Sequence, residues 1–316
     1  MMENLQNSLA ISRRYGVADL FITMIANPKW PELLNALLPG QTPTDRLDLV
    51  SHVFHQKKVF LIDLIVKKEV FGSTVARVHT IEFQKRGLLH MHLLIWLQRE
   101  YKFTTPAEVN TIISAEFPDP QTHPRLFRLV SDVITHGPCG DHKPDAPWMQ
   151  NRCCGKHCPK ELCDETIVHN DGYPKYRRWN TGVQHEICGF AMDNRWVIPY
   201  SPFLLLKMEC HINVELTFNV RSIKYIHKYL YKGHDRTTME LGQNRDEIKQ
   251  YLDARYVSAL EVCWRFLERE LYTQKPPVIP LPVHEKDAYS IVFDSNTDEM
   301  TILERVQRSK TMLMGK

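Results

Sequence analysis

Residues 78–97 of the chain read VHTIEFQKRGLLHMHLLIWL. Two runs rich in β-branched and aromatic residues are separated by the polar break Lys85-Arg86-Gly87, a pattern typical of a β-hairpin. His90 and His92 are two positions apart in the second run, so on a strand both side chains point to the same face. The stretch therefore predicts a hairpin whose second strand opens with two candidate ligands for one metal ion.

A third ligand is expected from the facing strand of this hairpin. Glu82 lies eight residues before His90 and is the first choice, and Gln84, on the same side, is the alternative. Two imidazoles and one oxygen donor, with positions left for water and substrate, suit Mg²⁺ or Mn²⁺ at a phosphate-handling site. The donor types also admit zinc.

The histidine triplet by itself is weak evidence. The chain has 15 histidines in 316 residues, and chance alone yields about 0.7 triplets of this kind. The alternative interpretation is a hairpin whose inward histidines are core residues hydrogen-bonded to the backbone. A second feature has to decide between the two.

Residues 221–236 read RSIKYIHKYLYKGHDR and supply that feature, because they predict a helix over about 221–234. Tyr225 and Tyr229 are four positions apart, so their hydroxyls lie one turn apart on one face, with Lys228 and Lys232 on or beside it. A phenol has a pKa of about 10 and is a poor nucleophile at neutral pH unless neighbouring cations favour the phenolate. The two tyrosines are therefore candidate nucleophiles, whereas Tyr231 lies off their face.

The same helix is strongly basic and fits a path for a phosphate backbone. A second aromatic and basic stretch, residues 173–179, is suited to stacking on bases. Tyrosines at helical spacing can instead be packing residues flanked by solvated lysines. However, a metal-binding hairpin together with nucleophilic tyrosines is what covalent nicking of single-stranded DNA requires. The candidate DNA contacts are Arg221, Lys224, Arg236, Arg177 and Arg178.

Other segments surround these two motifs. An apolar run at 19–26 predicts a buried strand, and apolar residues at i, i+3, i+4 spacing between Val50 and Ile65 predict an amphipathic helix. Helices are also expected at 106–115, 124–135 and 246–269, and alternation at 212–218 predicts a half-buried strand.

Composition places the chain among ordinary globular proteins. Hydrophobic residues make up 43% and the formal net charge is +3, too small to indicate a nucleic-acid partner without local clustering. No apolar run approaches the ~20 residues of a membrane span, and the N-terminus lacks the apolar core of a secretory signal. We therefore expect an intracellular protein. No G-x-x-x-x-G-K-[ST] phosphate loop is present, so no ATP site is expected in this chain.

Residues 137–189 combine cysteine, proline and glycine with little periodicity and predict a loop-rich insert. The eight cysteines of the chain are far fewer than a disulfide scaffold uses, so reduced thiols or a metal site are favoured. A structural zinc is a weaker prediction because the cysteine spacing is irregular. Its candidate ligands are Cys139, Cys154, Cys158 and Cys163.

Over about residues 15–314 the chain resembles the Helitron helicase-like domain, the replication-initiator-like HUH endonuclease part of Helitron rolling-circle transposases. The blocks that carry the resemblance are Asp19–Thr23 with Asn27–Pro31, Glu82–His92, His136–Gly140, Asp171–Pro174 with Tyr176–Arg178, Pro199–Lys207, Cys210–Glu215 and Lys224–Arg236.

The resemblance implies an α+β fold in which helices flank a central antiparallel sheet of about five strands, with the metal hairpin at its centre. It implies that His90 and His92 are metal ligands and that Tyr225 and Tyr229 are the paired catalytic tyrosines. Single-stranded DNA at transposon ends is the implied partner, and the nucleus the implied location.

The chain departs from the family pattern at three points. Leu89 stands where relatives usually carry proline, and Trp148 where they often carry cysteine. Family proteins also continue into a helicase, so we expect a fragment or a degenerate copy. The expected organisation is an N-terminal half of the nuclease domain (15–136), the insert (137–189), a C-terminal half with the tyrosine helix (190–272), and a proline-rich linker with an acidic tail (273–316).

The hypothesis from sequence is a metal-dependent endonuclease and strand transferase that acts on single-stranded DNA through a 5′-phosphotyrosine. The first alternative is a catalytically inactive DNA-binding remnant of such a protein. A histidine-triad nucleotide hydrolase would need a third alternating histidine, and Leu94 stands at that position.

Overall fold

The computed structural model describes residues 2–83, 88–168, 174–217 and 258–279, together with 298, 300 and 301. Within these ranges the strands are β1 (Leu20–Ile25), β2 (Thr74–Phe83), β3 (Leu89–Leu97), β4 (Met149–Gln150), β5 (Cys153–Cys154), β6 (His185–Ile187), β7 (Phe190–Met192), β8 (Ile212–Leu216) and β9 (Tyr272–Lys275). The α-helices are α1 (Met2–Tyr15), α2 (Pro31–Leu34), α3 (Leu47–Val66), α4 (Pro106–Ile112), α5 (Pro124–Leu129), α6 (Pro202–Met208) and α7 (Ala259–Phe266).

Five of the strands form the main sheet, in the order β8-β1-β3-β2-β9, and every neighbouring pair is antiparallel. The α+β class and the five-stranded antiparallel sheet predicted from sequence are therefore confirmed. Strand β3, the second strand of the predicted hairpin, lies third of the five. The histidine pair thus sits at the centre of the sheet.

Strand β3 is buried at all nine positions. Leu89, Met91 and Leu93 face a large apolar core that also contains Phe54 and Leu61 of α3. This explains why the periodic apolar residues of α3 were visible in the sequence: one stripe of the helix packs on one face of the sheet. The histidines alternate with these residues and so lie on the opposite face.

The ends of β1 and β3 are held together by Asp19. Its carboxylate accepts a hydrogen bond from the Leu97 backbone N–H at 2.7 Å. It also forms an ion pair with Lys102 at 2.9 Å. Just beyond the other end of β1, the buried Trp30 indole donates to the Met208 carbonyl at 2.8 Å. These contacts fix where β1 begins and ends relative to its neighbours.

Strand β9 was missed by the sequence analysis, which placed residues from 273 onward in a linker. Tyr272–Lys275 instead pair with β2 at the edge of the sheet, where Thr273 lies opposite His79. The segment is short and polar. It therefore lacks the alternating pattern and the apolar run from which a strand is predicted. An edge strand is specified by the backbone groups of its neighbour rather than by its own side chains.

Two short hairpins, β4–β5 and β6–β7, lie outside the main sheet. Their small core contains three cysteines together with Ile187, Met192 and Trp196. Contacts divide the chain into two units, Met1–Pro276 and Pro277–Lys316, and all the strands and helices named above lie in the first. For the second unit, the predicted linker and acidic tail stay predictions. Across the described ranges, no helix combines the length and apolar character needed to cross a bilayer.

His79 of β2 predicts an acid sensitivity of the fold. It lies opposite Leu93, on the face away from the histidine pair, and is 4% exposed. Burial, together with smaller contributions from the charges of Lys58 and Arg77, lowers the pKa of His79 to about 3. The unfolded chain therefore binds more protons than the folded chain between about pH 6.5 and pH 3, so stability falls as the pH drops through that window.

We expect His79→Leu to reduce the slope of the free energy of unfolding against pH by up to about 1.4 kcal/mol per pH unit. Urea unfolding at neutral pH and at about pH 5 measures the difference. The exposed His123, changed to Gln, is the control and should leave the parent slope intact. An unchanged slope in His79→Leu would contradict the assignment.

Candidate metal centre

The pairing of β2 with β3 brings together the three ligands predicted from sequence. Glu82 lies directly opposite His90, and Thr80 lies opposite His92. One ligand atom from each of Glu82, His90 and His92 lies within 4.8 Å of the other two. The expected third ligand therefore occupies the expected face of the expected hairpin, because cross-strand partners share a face.

The distances in this cluster fit a small divalent ion. His92 Nε2 is 3.0 Å from Glu82 Oε2. Two ligands at right angles about an ion, each ~2.1 Å away as in Mg²⁺ sites, are about 3.0 Å apart. His90 and His92 are 8% and 5% exposed, so both imidazoles are largely withdrawn from water.

Thr23 of β1 and the neighbouring Phe21 contact the ring of His92. Its Oγ1 is 3.1 Å from His92 Nδ1, and Phe21 stacks on the same ring with centroids 5.8 Å apart. An imidazole that offers its Nε2 lone pair to a metal carries its proton on Nδ1, which then donates to the threonine oxygen. Thr23 is thus a candidate positioning residue, whose hydroxyl can hold the ring of His92 by a hydrogen bond at Nδ1.

Sequence reasoning missed Thr23. The residue lies opposite both His92 on β3 and Asn213 on β8, a register that arises only when distant segments pair. A threonine in an apolar strand run is the single sequence signal, and it is a weak one.

Several predicted site residues lie outside the described residues. They are Gln84, the alternative third ligand, the catalytic candidates Tyr225, Tyr229, Lys228 and Lys232, and the DNA-contact candidates Arg221, Lys224 and Arg236.

Arg177 and Arg178, predicted together as DNA contacts, have different environments. Arg178 is 4% exposed, and its guanidinium donates to the carbonyls of Ala115, Asn194 and Val197 at 3.0, 2.6 and 2.6 Å. Burial lowers the pKa of Arg178 to about 10. A phosphate cannot reach a guanidinium enclosed in this way, so a DNA-contact role does not fit Arg178.

Arg177 is partly exposed and lies over the Trp179 ring, 4.1 Å from its centroid. It also forms an ion pair with Glu116 at 2.9 Å. Trp179 itself is 50% exposed. An exposed indole beside a guanidinium is a surface on which a base can stack.

The four cysteines proposed as zinc ligands do not assemble as a set. Neither Cys158 nor Cys163 belongs to the group of possible ligands found among the described residues, and the Cys163 thiol donates to the Glu165 carbonyl at 2.8 Å. The group that does assemble contains His136, Cys139 and Cys154. His136 was not among the predicted ligands, although it begins the block His136–Gly140.

The fold and the cluster define an α+β protein with a two-histidine, one-carboxylate centre in the middle of an antiparallel sheet. Residues 1–95 match a protein family described as the Helitron helicase-like domain at the N-terminus. The resemblance stated from sequence is confirmed over those residues, which include Glu82, His90 and His92. No curated protein matches the chain.

We expect Glu82→Ala to weaken Mn²⁺ binding by at least about 10-fold, since loss even of a group that only orients a ligand costs 10–100-fold. Titration calorimetry with Mn²⁺ measures the change. Glu100→Ala, at an exposed glutamate beyond the end of β3, is the matched control. Equal affinities in all three proteins would mean that Glu82 is not a ligand.

Thr23→Val tests the positioning role, because it removes the hydroxyl and keeps the shape. The expected result is Mn²⁺ binding weakened by about 10-fold with little change in folding. Thr23→Ser, which restores the hydroxyl, should recover most of the affinity. Failure of serine to do better than valine would show that packing, rather than the hydrogen bond, matters at this position.

Proposed function

We propose that this protein is a Helitron-type HUH endonuclease, which nicks single-stranded DNA and transfers the cut strand through a 5′-phosphotyrosine. The observation that carries the proposal is the Glu82, His90 and His92 cluster on the central hairpin. It stands beside a family match that covers the same residues.

The donor set of the cluster suits a hard divalent ion such as Mg²⁺ or Mn²⁺. When bound, the ion would act as a Lewis acid that polarises the scissile phosphate. His90 and His92 would hold it through neutral imidazoles, and Glu82 would contribute negative charge. Thr23 and Phe21 would keep His92 in its ligating orientation.

The covalent step belongs to the tyrosines. The phenolate oxygen of Tyr225 or Tyr229 would attack phosphorus, forming a Tyr–O–P bond while the bond from phosphorus to the 3′ oxygen breaks. The leaving 3′ oxygen takes up a proton and becomes a hydroxyl. The other tyrosine would serve the later strand transfer.

Cationic residues would guide the strand to this chemistry. Lys228 and Lys232 would favour the phenolate and contact phosphates, and Arg221, Lys224 and Arg236 would extend the path. On the described part of the chain, the Arg177 and Trp179 pair offers a stacking surface for a base.

The proposal includes single-stranded DNA at transposon ends as substrate, the nucleus as location, and a helicase domain in the full-length protein. Its rival is the catalytically inactive DNA-binding remnant. The two differ in one observable, the formation of a covalent protein–DNA adduct.

A nicking assay separates them. A pool of single-stranded oligonucleotides, labelled at either the 5′ or the 3′ end, is incubated with Mn²⁺ or Mg²⁺ and run on a denaturing gel. A 5′-phosphotyrosine retains the downstream fragment, so only the 3′-labelled pool should give a shifted protein band. We expect at least one of Tyr225→Phe and Tyr229→Phe to lower adduct formation by more than about 100-fold, and the double variant to form none.

Tyr231→Phe is the control and should behave as the parent, because the predicted helix places this tyrosine off the face of the other two. His92→Ala should abolish cleavage with either metal. DNA binding without any adduct would favour the inactive remnant, and an adduct retained by the double variant would refute the tyrosine mechanism.

A further inference from the structure

A second cluster of metal-binding side chains lies in the loop-rich region. One ligand atom each of His136, Cys139 and Cys154 lies within 4.8 Å of the other two. Cys154, in β5, is 15 positions after Cys139, so the chain must fold back to bring it to the other two. All eight cysteines are free thiols, so the cluster is not a disulfide.

The spacing between two of these atoms is that of a tetrahedral zinc site. Cys154 Sγ is 3.7 Å from His136 Nε2. With Zn–S near 2.3 Å and Zn–N near 2.0–2.1 Å, sulfur and nitrogen ligands in a tetrahedron are about 3.6 Å apart. The pair is therefore already at ligand spacing.

His136 presents the correct nitrogen. Its Nδ1 donates to the Gly137 carbonyl at 2.6 Å, which leaves the Nε2 lone pair directed at Cys154. Ligating histidines commonly use the other ring nitrogen in this way.

Cys158 lies outside that three-residue group and is the candidate fourth donor. It is buried, its carbonyl accepts from the Cys139 thiol at 3.4 Å, and its own thiol donates to the Arg195 carbonyl at 3.8 Å. The ligands then form two short pairs, His136-x₂-Cys139 and Cys154-x₃-Cys158. Both spacings fall in the range of structural zinc sites.

A backbone donor and two lysines lie near the sulfur atoms. The Lys156 backbone N–H donates to Cys154 Sγ at 3.4 Å. The charges of Lys156 and Lys160 act on His136, and Lys160 also acts on Cys158. Donors and positive charge of this kind stabilise thiolates that a metal creates.

We propose that His136, Cys139, Cys154 and Cys158 bind a structural Zn²⁺ that holds the loop-rich region together. Three thiols lose their protons on binding, so one Zn²⁺ releases three protons. A metal would stabilise this region because its hydrophobic core is small. The core consists of six buried residues, three of them the cysteines, and the strands around it are two or three residues long. So small a core usually requires a metal or a disulfide.

Cobalt substitution of the full chain tests the site. Three thiolates and one imidazole around Co²⁺ give a strong thiolate-to-metal charge-transfer band and the intense visible bands of a tetrahedral ion. The Glu82, His90 and His92 cluster contains no sulfur and cannot produce the charge-transfer band. We expect one equivalent of Zn²⁺ to abolish that band by displacement.

Cys154→Ser should lose the band, whereas Cys153→Ser, its exposed neighbour, and Cys163→Ser should keep it. Because Cys154→Ser can unfold the region, Cys154→His provides a second variant. It should retain one metal and lose about one third of the charge-transfer intensity, as two thiolates replace three. A parent without the band, or equal loss in Cys153→Ser and Cys154→Ser, would overturn the proposal.

Discussion

The central constraint of this structure is the complete burial of β3. A strand paired on both edges and covered on both faces must satisfy every polar group that it carries. His90 and His92 are two residues with such groups. Both imidazoles lie beside the Glu82 carboxylate, and His92 also contacts the Thr23 hydroxyl. The register of three strands is tied to this requirement, because a slip by one residue would turn both imidazoles toward the apolar core under α3.

The two faces of the sheet consequently have different chemistry. One face packs against helices and supplies the large apolar core. The other face carries two buried imidazoles, together with the partly buried carboxylate of Glu82 and hydroxyl of Thr23. Side chains on regular strands are positioned more precisely than side chains on loops, and this favours the sheet as the frame of a metal site. His79 shows the contrast: it lies on the helix-covered face, where burial and two cations keep it neutral.

The two candidate metal clusters are chemically distinct. Imidazole with carboxylate suits a hard ion, whereas thiolates with imidazole suit zinc. The first cluster is built on the central hairpin, and the second on loops and two-residue strands. This difference matches their proposed roles. An ion bound by strands of the sheet can act in catalysis, whereas an ion bound by loops stabilises the local fold.

The amino-acid sequence by itself determined the hairpin, the two histidines and Glu82, because strand alternation and a glycine-containing break are local properties. It also determined the long helix α3, and the family resemblance of the sequence implied the α+β class. Only the tertiary structure decided which groups share an environment. Thr23 reaches His92, and His136 reaches Cys154, through pairings between distant segments. Arg177 and Arg178 are neighbours in sequence, yet one lies on the surface and the other donates to three buried carbonyls. Burial and pairing depend on the whole chain, and for that reason a linear pattern could indicate the donor types but not the complete ligand sets.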